Sequence, residues 1–219
     1  MPSWSGKHIW IWQPWRVHQG DAQTIAAAAR QLGLTGVIVK YHDGGYGRVS
    51  DQYRQHFERL APALQAAGLV VGAWGYSYGN QVQEEVELAV TSLARGADWY
   101  VLDAETEYEN RPELARVWCE AFRQRAPRAV LGVTPFAIPS LHPRYPYRDF
   151  DRYVDVFLPQ VYWGYFPWGI EESWQRFDRE FRVLNLRAAI APIGQATDDI
   201  PPQELRRFGQ LVREGGYPG

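Results

Sequence analysis

The chain has 219 residues, of which 46% are hydrophobic and 22% charged, and its net charge is −2. This is globular composition, and we expect residues 1–219 to form one domain. The absence of a basic block excludes sequence-independent nucleic-acid binding. Cys119 has no internal disulfide partner, and no Cys/His cluster has zinc-site spacing. No apolar stretch reaches the ~18 residues of a membrane span, and the first seven residues lack the apolar core of a signal peptide.

Aromatic residues make up 15% of the chain, with 10 Trp and 13 Tyr. These side chains combine a large apolar face with a polar edge, which favours them at ligand sites. Lysine occurs only at Lys7 and Lys40, and all other strong cations are arginine.

Short apolar runs alternate with amphipathic stretches along the chain. The apolar runs predict seven strands, over residues 8–12, 36–40, 69–76, 99–103, 130–135, 156–162 and 188–193. The amphipathic stretches predict helices over 21–32, 51–67, 81–94, 111–125, 171–184 and 202–214. Pro159 predicts a distortion within the sixth strand. The proline-rich segment 136–148 predicts a long loop, followed by one helical turn near 150–153.

Strands that alternate with helices predict repeated βαβ units and a parallel sheet. The glycine-rich phosphate turn of a dinucleotide fold is absent after the first strand, and polar or aromatic residues end most strands. The sequence therefore predicts an α/β fold, a TIM-type (β/α) barrel with seven β/α units and no eighth strand. Two explanations stay open: an incomplete barrel, or a fragment of a longer multidomain protein.

The most informative acidic residues are Asp103 and Glu105 at the end of the fourth strand. Strand side chains alternate, so both point to one side, roughly 6.6 Å apart along the strand. Two carboxylates at the catalytic rim of a barrel suit glycoside hydrolysis, because one can hold the proton for the leaving group. The alternative is an acidic cluster at a helix N-terminus, which we favour for Glu107, Glu109 and Glu113.

Lys40 ends the second strand. It could contact substrate hydroxyls, form a structural ion pair across the barrel mouth, or form a Schiff base with a carbonyl substrate. The following His42 and Asp43 precede two glycines, and we interpret them as residues of a solvated loop.

Several other strand ends carry polar or aromatic side chains that could bind a sugar. Alternation directs Gln160 and Tyr162 to the same side of the sixth strand. The predicted substrate-binding set is Lys40, Trp12, Trp74, Tyr76, Thr134, Gln160, Tyr162, Trp163 and Gln195. The alternatives are that the aromatic residues cap the barrel core and that Thr134 and Gln195 make structural hydrogen bonds.

The segments 37–40, 66–74 and 102–105 (VIVK, AAGLVVGAW and LDAE) resemble glycoside hydrolase family 25, the muramidase-type lysozymes. The end of the sixth strand, Gln160-Val161-Tyr162, resembles the chitinase-like barrels of family 18. The family-25 resemblance implies Glu105 as the general acid and Asp103 as the residue that orients an N-acetyl group or stabilises positive charge. The chain departs from that family in lacking an aspartate after the first strand and an eighth strand. Only Asp43 is available as the acidic residue after the strand-two lysine.

These observations predict a glycoside hydrolase without a metal or cofactor, acting on peptidoglycan or a chitin-like N-acetylhexosamine polymer. Such a substrate places its action at a cell wall or outside the cell, with no nucleic-acid or membrane partner. The alternative is a non-catalytic carbohydrate-binding or structural barrel module of a larger assembly. A Schiff-base lyase acting through Lys40 is the third hypothesis.

Overall fold

The computed structural model describes residues 3–197 and 200–218. Its strands, in chain order, are β1 (His8–Ile11), β2 (Gly36–Asp43), β3 (Val70–Tyr76), β4 (Trp99–Asp103), β5 (Leu131–Thr134), β6 (Val156–Phe157), β7 (Gln160–Val161), β8 (Ala189–Ile190) and β9 (Ile193–Gly194). Its α-helices are α1 (Ala22–Gln31), α2 (Arg48–Ala66), α3 (Val82–Ala94), α4 (Pro112–Arg125), α5 (Tyr147–Phe150), α6 (Gly169–Leu184) and α7 (Pro202–Glu214). The predicted elements are confirmed to within a few residues at most ends.

All strand pairs are parallel, and seven strands form one sheet in the order β1-β2-β3-β4-β5-β6-β8. The sheet curls into an open (β/α) barrel, which confirms the predicted fold class. Within the described residues, no further strand closes the barrel between the two edge strands of this sheet, β1 and β8. None of the helices in the described ranges is long and apolar enough to cross a membrane.

Two prolines interrupt neighbouring strands at the same level. Pro159 separates β6 from β7, and Pro192 separates β8 from β9, because proline has no N–H to donate to the ladder. Pairing resumes after each proline, so β7 and β9 form a short parallel pair of their own. The distortion predicted at Pro159 is therefore confirmed, and the rim residue Gln160 lies just beyond it.

Alternation of side chains divides the apolar residues into two layers. The inward-facing set fills the barrel and consists of Ile38, Trp74, Trp99, Val101, Val156, Leu158, Ala191 and Ile193. The outward-facing set packs against the helices; fully buried Tyr100 of β4, for example, stacks on Trp118 and Phe122 of α4. Since Trp99 and Val101 point inward, alternation directs Asp103 inward as well, at the carboxyl end of the barrel.

A β-bulge in β2 changes this alternation near the carboxyl end of the strand. The register with β3 shifts between Lys40 and His42, so Lys40 pairs with Trp74 and Asp43 pairs with Tyr76. Bulges re-aim side chains and are common next to active sites. Here the bulge turns His42 away from the barrel interior and brings Asp43 to the same side as Lys40.

His42 is completely buried, which shows that our interpretation of His42 and Asp43 as solvated loop residues is wrong. Burial lowers the pKa of His42 to about 4, so the ring is neutral at physiological pH. Its Nδ1 lies 2.7 Å from the carbonyl oxygen of Gly44, and its Nε2 lies 2.6 Å from the hydroxyl of Tyr100. A neutral ring satisfies both contacts by donating from Nδ1 and accepting at Nε2.

The His42 ring fits only because position 75 has no side chain. A Cβ at Gly75 would lie 2.1 Å from His42 Nε2. We therefore expect Gly75→Ala to lower the free energy of unfolding by about 1–3 kcal/mol, the usual cost of overpacking a core. Chemical denaturation of both proteins measures this difference.

The matched control is Gly209→Ala in α7, where the new Cβ would only approach the flexible end of Arg213, at 3.6 Å. Alanine is the better helix former, so we expect this variant to be at least as stable as the parent. Equal stability of both variants and the parent would contradict the role assigned to the His42 contact.

Candidate active site

The strand register places four polar residues in one row at the carboxyl end of the barrel. Tyr76, Asp103 and Thr134 belong to the predicted site, and Asp43 joins them. Asp43 pairs with Tyr76, Tyr76 with Asp103, and Asp103 with Thr134. In a (β/α) barrel this rim is where binding and catalytic side chains lie. The row defines the floor of a cleft, and we call it the rim row.

The centre of the cleft is the pair formed by Asp103 and Glu105. Asp103 is only 8% exposed, whereas Glu105 is half-buried. Gln160 Nε2 lies 2.9 Å from Glu105 Oε1 and 3.5 Å from Asp103 Oδ1, so one amide bridges both carboxyl groups. Side chains from β4 and β7 are thereby brought together across the barrel mouth.

The pair holds a proton. Burial, and then the charge of Glu105, raise the pKa of Asp103 well above its ordinary value, while Lys40 opposes the shift. Two like charges so close together in a poorly solvated site are unstable, which favours the protonated form of Asp103. The geometry therefore stores a proton beside Glu105, the more accessible member of the pair.

The backbone around the acid pair is held by buried hydrogen bonds. The Tyr145 hydroxyl donates to the carbonyl oxygen of Ala104 at 2.8 Å, between the two acids. The amide of Ser77 donates to the carbonyl oxygen of Asp103 at 2.9 Å. Fixing both sides of the β4 end limits how far the two carboxyl groups can separate.

Lys40 and Asp43 form a second polar cluster beside the acid pair. Lys40 Nζ lies 2.5 Å from Asp43 Oδ2 and above the rings of Tyr53 and Trp74, at 4.9 and 4.6 Å from their centroids. The Tyr78 hydroxyl donates to the other Asp43 oxygen at 2.8 Å. Lys40 Nζ is thereby enclosed by a carboxylate and two ring faces.

The structure corrects our interpretation of Glu107 and Glu109 as helix N-terminal acids. Helix α4 begins only at Pro112, and of the three acids only Glu113 lies in its first turn. Glu107 accepts a hydrogen bond from the Tyr76 hydroxyl at 2.8 Å. Burial, followed by this hydrogen bond, raises the pKa of Tyr76 far above its ordinary value. Tyr76 therefore remains a neutral hydrogen-bonding group in the rim row.

A pocket of about 360 Å³ opens next to Glu105. It is bounded by the loop after β5 and by the segment after β7, and its lining includes Phe136, Ile138, His142, Gln160, Tyr162 and Phe166. Most of this surface is apolar or aromatic, with a few polar groups around it. Such a surface suits a ligand with an apolar face and polar edges.

Four of the remaining predicted residues border the cleft, with different exposure. Trp74 is largely buried and donates from Nε1 to the carbonyl oxygen of Ile11 at 3.2 Å. Trp12 follows β1 and is 60% exposed. Thr134 is buried, and its Oγ1 has no hydrogen-bond partner among the described residues. Tyr162 lines the pocket.

Trp163 and Gln195 are not brought into this cluster. The Trp163 indole is buried, stacks on Phe208 of α7 and donates to Glu204 at 2.6 Å. Gln195 Oε1 accepts from the amide of Gly164 at 2.9 Å. In the structure both residues brace the segment that carries Tyr162, in agreement with the structural alternatives considered for them.

The sequence did not predict a site role for His142, Phe136 or Glu109, the last of which we interpreted as a helix N-terminal acid. His142 Nδ1 lies 2.6 Å from Glu109 Oε1, and its ring stacks on Phe136. All three lie on irregular segments after β4 and β5, where neither alternation nor helical spacing predicts side-chain direction. Within residues 3–197 and 200–218, no group of three or more His, Cys, Asp or Glu side chains could hold a metal ion.

The raised pKa of Asp103 leads to a prediction about stability. Above the ordinary pKa of about 3.9 for an unfolded Asp, the native protein keeps a proton that the unfolded chain has released. The free energy of unfolding of the wild type therefore falls as pH rises towards the raised native pKa. Asp103→Asn lacks this dependence, so its stability relative to wild type should improve by on the order of 1–2 kcal/mol between pH 4 and pH 7.

Urea denaturation at both pH values measures this change, with Asp149→Asn on α5 as a control outside the cleft. A stability difference between Asp103→Asn and wild type that is the same at both pH values would contradict a protonated Asp103.

Comparisons with known proteins identify the fold but no family. No protein-family model matches the chain, and no curated protein matches it. Solved structures do match. A fungal β-1,4-galactanase has a TM-score of 0.66 and 11% identity, covering 96% of this chain and 87% of its own. An α-L-fucosidase homologue from Bacteroides thetaiotaomicron has a TM-score of 0.64 and 10% identity, covering 97% and 84%.

The structure of PhdJ bound to a substrate intermediate also matches, with a TM-score of 0.60 and 13% identity. That match covers 96% of this chain, which spans only 64% of the PhdJ chain. Dihydrodipicolinate synthases are further matches. At these identities the likeness establishes the (β/α) barrel alone, and the same fold carries different chemistries.

Proposed function

We propose that this protein is a glycoside hydrolase in which Glu105 protonates the glycosidic oxygen. The observation that carries the proposal is the proton-sharing pair of Asp103 and Glu105, bridged by Gln160 beside an aromatic-lined pocket. Glycoside hydrolysis requires a carboxylic acid that is still protonated near neutral pH, and a buried neighbouring carboxyl group supplies the proton. Two of the structures with the same fold belong to glycosidases, which is consistent with this chemistry.

The closeness of the two carboxyl groups bears on the substrate. A pair that flanks the scissile bond is separated by about 5–5.5 Å in retaining enzymes and by about 6.5–9.5 Å in inverting ones. Here a single amide, that of Gln160, reaches both carboxyl groups, at 2.9 and 3.5 Å, and we infer that both act from one side of the sugar. The nucleophile then comes from elsewhere, and the carbonyl oxygen of a substrate N-acetyl group is suitably placed for this role.

The reaction follows from these roles. The proton moves from Asp103 to Glu105, and Glu105 gives it to the glycosidic oxygen as the bond to the anomeric carbon breaks. The electron pair of that bond leaves with the oxygen, while the N-acetyl carbonyl oxygen bonds to the anomeric carbon. The Asp103 carboxylate stabilises the resulting positive charge. Water then adds its hydroxyl to the anomeric carbon as the bond from that carbon to the N-acetyl oxygen breaks. The proton released by the water passes to Glu105 and on to Asp103, which restores the starting pair.

We therefore propose an N-acetylhexosamine polymer as the substrate, either peptidoglycan or a chitin-like glycan. The resemblance of segments 37–40, 66–74 and 102–105 to muramidase-type lysozymes supports this choice. Exposed Trp12 offers a face on which a flanking sugar can stack. A substrate of this kind would place the activity at a cell wall or outside the cell.

Non-catalytic carbohydrate binding is the second candidate function. It is favoured by the largely apolar lining of the pocket, which can hold a sugar without cleaving it. The Schiff-base hypothesis has less support, because Lys40 Nζ is enclosed by Asp43, Tyr53 and Trp74.

Replacement of the acid separates hydrolysis from binding. We expect Glu105→Gln to reduce the release of reducing ends from peptidoglycan or N-acetylglucosamine oligomers by about 10²–10⁴-fold, the usual contribution of a positioned acid. Glutamine keeps the shape of the side chain, so folding and glycan binding should be preserved.

Glu113→Gln on the exposed face of α4 is the matched control and should retain full activity. Full activity of Glu105→Gln would refute the assignment of the acid. A wild type that binds these glycans but releases no reducing ends would favour the binding module instead.

Gln160 is predicted to be a positioning residue for the acid pair. Gln160→Met fills a similar volume but removes the amide donor to Glu105 and Asp103. We expect kcat to fall by about tenfold, the value of roughly one hydrogen bond to a charged group. Because the lost donor stabilised the charged forms, the acidic limb of the kcat profile should move to higher pH. A lower kcat with an unchanged pH profile would instead indicate a purely packing role.

A further inference from the structure

One wall of the pocket beside Glu105 contains a histidine in an unusually defined setting. The His142 ring lies parallel to Phe136, with ring centroids 3.5 Å apart and planes 4° apart. Its Nδ1 lies 2.6 Å from Glu109 Oε1. The stacking fixes the plane of the ring and the carboxylate fixes its rotation, so the loop after β5 presents this side chain in one orientation.

The contact with Glu109 also determines which nitrogen carries the proton. A carboxylate accepts hydrogen bonds, so Nδ1 must be the donor and Nε2 of the neutral ring holds a lone pair. No protein partner for Nε2 occurs in the part of the chain that the structure describes. Since His142 lines the pocket, a ligand there can supply the missing donor.

The pocket has the chemistry that a sugar ring requires. Its volume of about 360 Å³ is at the lower end of the range of about 300–1,000 Å³ for small-molecule sites. The faces of Phe136, Tyr162 and Phe166 suit the C–H face of a pyranose, and the polar groups of His142 and Gln160 suit its hydroxyl edge.

We propose that this pocket binds the sugar adjacent to the scissile bond and that His142 Nε2 accepts a hydrogen bond from one of its ring hydroxyl groups. Glu109 and Phe136 are then the positioning residues of His142. The inference rests on the proposed glycosidase function and extends it by assigning a specificity-determining residue. A ligand that lacks the hydroxyl leaves the nitrogen unpaired in the complex, and such a site discriminates against it.

The test uses the full chain and two measurements, calorimetric affinity and release of reducing ends. The probes are the N-acetylglucosamine tetramer, its monodeoxy analogues and soluble peptidoglycan fragments. We expect His142→Ala to weaken affinity for the preferred glycan by about three- to tenfold. His142→Gln, which can still accept a hydrogen bond, should recover part of the loss. His56→Ala, a histidine that does not line the pocket, is the matched control.

The deoxy analogues distinguish a direct contact from a structural effect. One analogue should bind wild type more weakly than the parent sugar, and this difference should disappear in His142→Ala. Glu109→Ala should reduce the same difference without removing it. If every analogue keeps its penalty in His142→Ala, the proposed contact does not exist.

The outcomes also separate this inference from the proposed function. If Glu105→Gln is inactive while His142→Ala binds and turns over like wild type, the inference is wrong and the glycosidase stands. If wild type binds but does not hydrolyse, and His142→Ala loses affinity, the inference stands and the glycosidase is wrong. If wild type neither binds nor cleaves any of these glycans, both are overturned.

Discussion

The cleft depends on one electrostatic constraint: two carboxyl groups, Asp103 and Glu105, in a place with too little water to keep both charged. Like charges at this distance cannot both be stable in a poorly solvated site, so a proton stays with the pair. The surrounding contacts maintain that situation. Gln160 bridges the two groups, and Tyr145 fixes the peptide between them. The charge of Lys40 opposes the rise in the pKa of Asp103.

An arrangement of this kind is unfavourable for folding and must be offset elsewhere. The cleft contains a buried acid, a buried lysine and the buried Thr134 hydroxyl without a described partner. Each costs free energy unless it is paired or hydrogen-bonded. The compensation lies in the two apolar layers, above all in the fully buried aromatic residues between the sheet and the helices, such as Trp118 and Phe122. Separation of the two regions lets the site depart from the best packing without loss of the fold.

The barrel explains where the site is, but not what it does. Parallel strands bring their carboxyl ends to one rim whatever side chains they carry, and structures with this fold include glycosidases and dihydrodipicolinate synthases. The distinguishing features are local. The β2 bulge pairs Lys40 with Asp43, and the proline breaks after β6 and β8 carry the strands towards the rim at Gln160. The loop after β5 supplies the wall of the pocket beside Glu105.

Sequence periodicity predicted the strands from a repeat of two and the helices from a repeat of about 3.6 residues. It failed where the repeat is broken. We expected a solvated loop at His42 and Asp43, but β2 continues through both residues with a bulge at Tyr41, and no short-range pattern encodes a bulge of this kind.

Irregular segments set a second limit on prediction. The directions of His142, Glu109 and Phe136 are fixed by packing between loops that are distant in the chain, so their cluster has no signature in residue spacing. The sequence by itself determined the barrel, since local alternation and burial suffice to predict its strands and helices. Only the tertiary structure decided which groups surround Asp103, which side chains enclose Lys40 and which residues form the pocket. Those contacts join residues that are far apart in the chain, and no periodic pattern in the sequence encodes them.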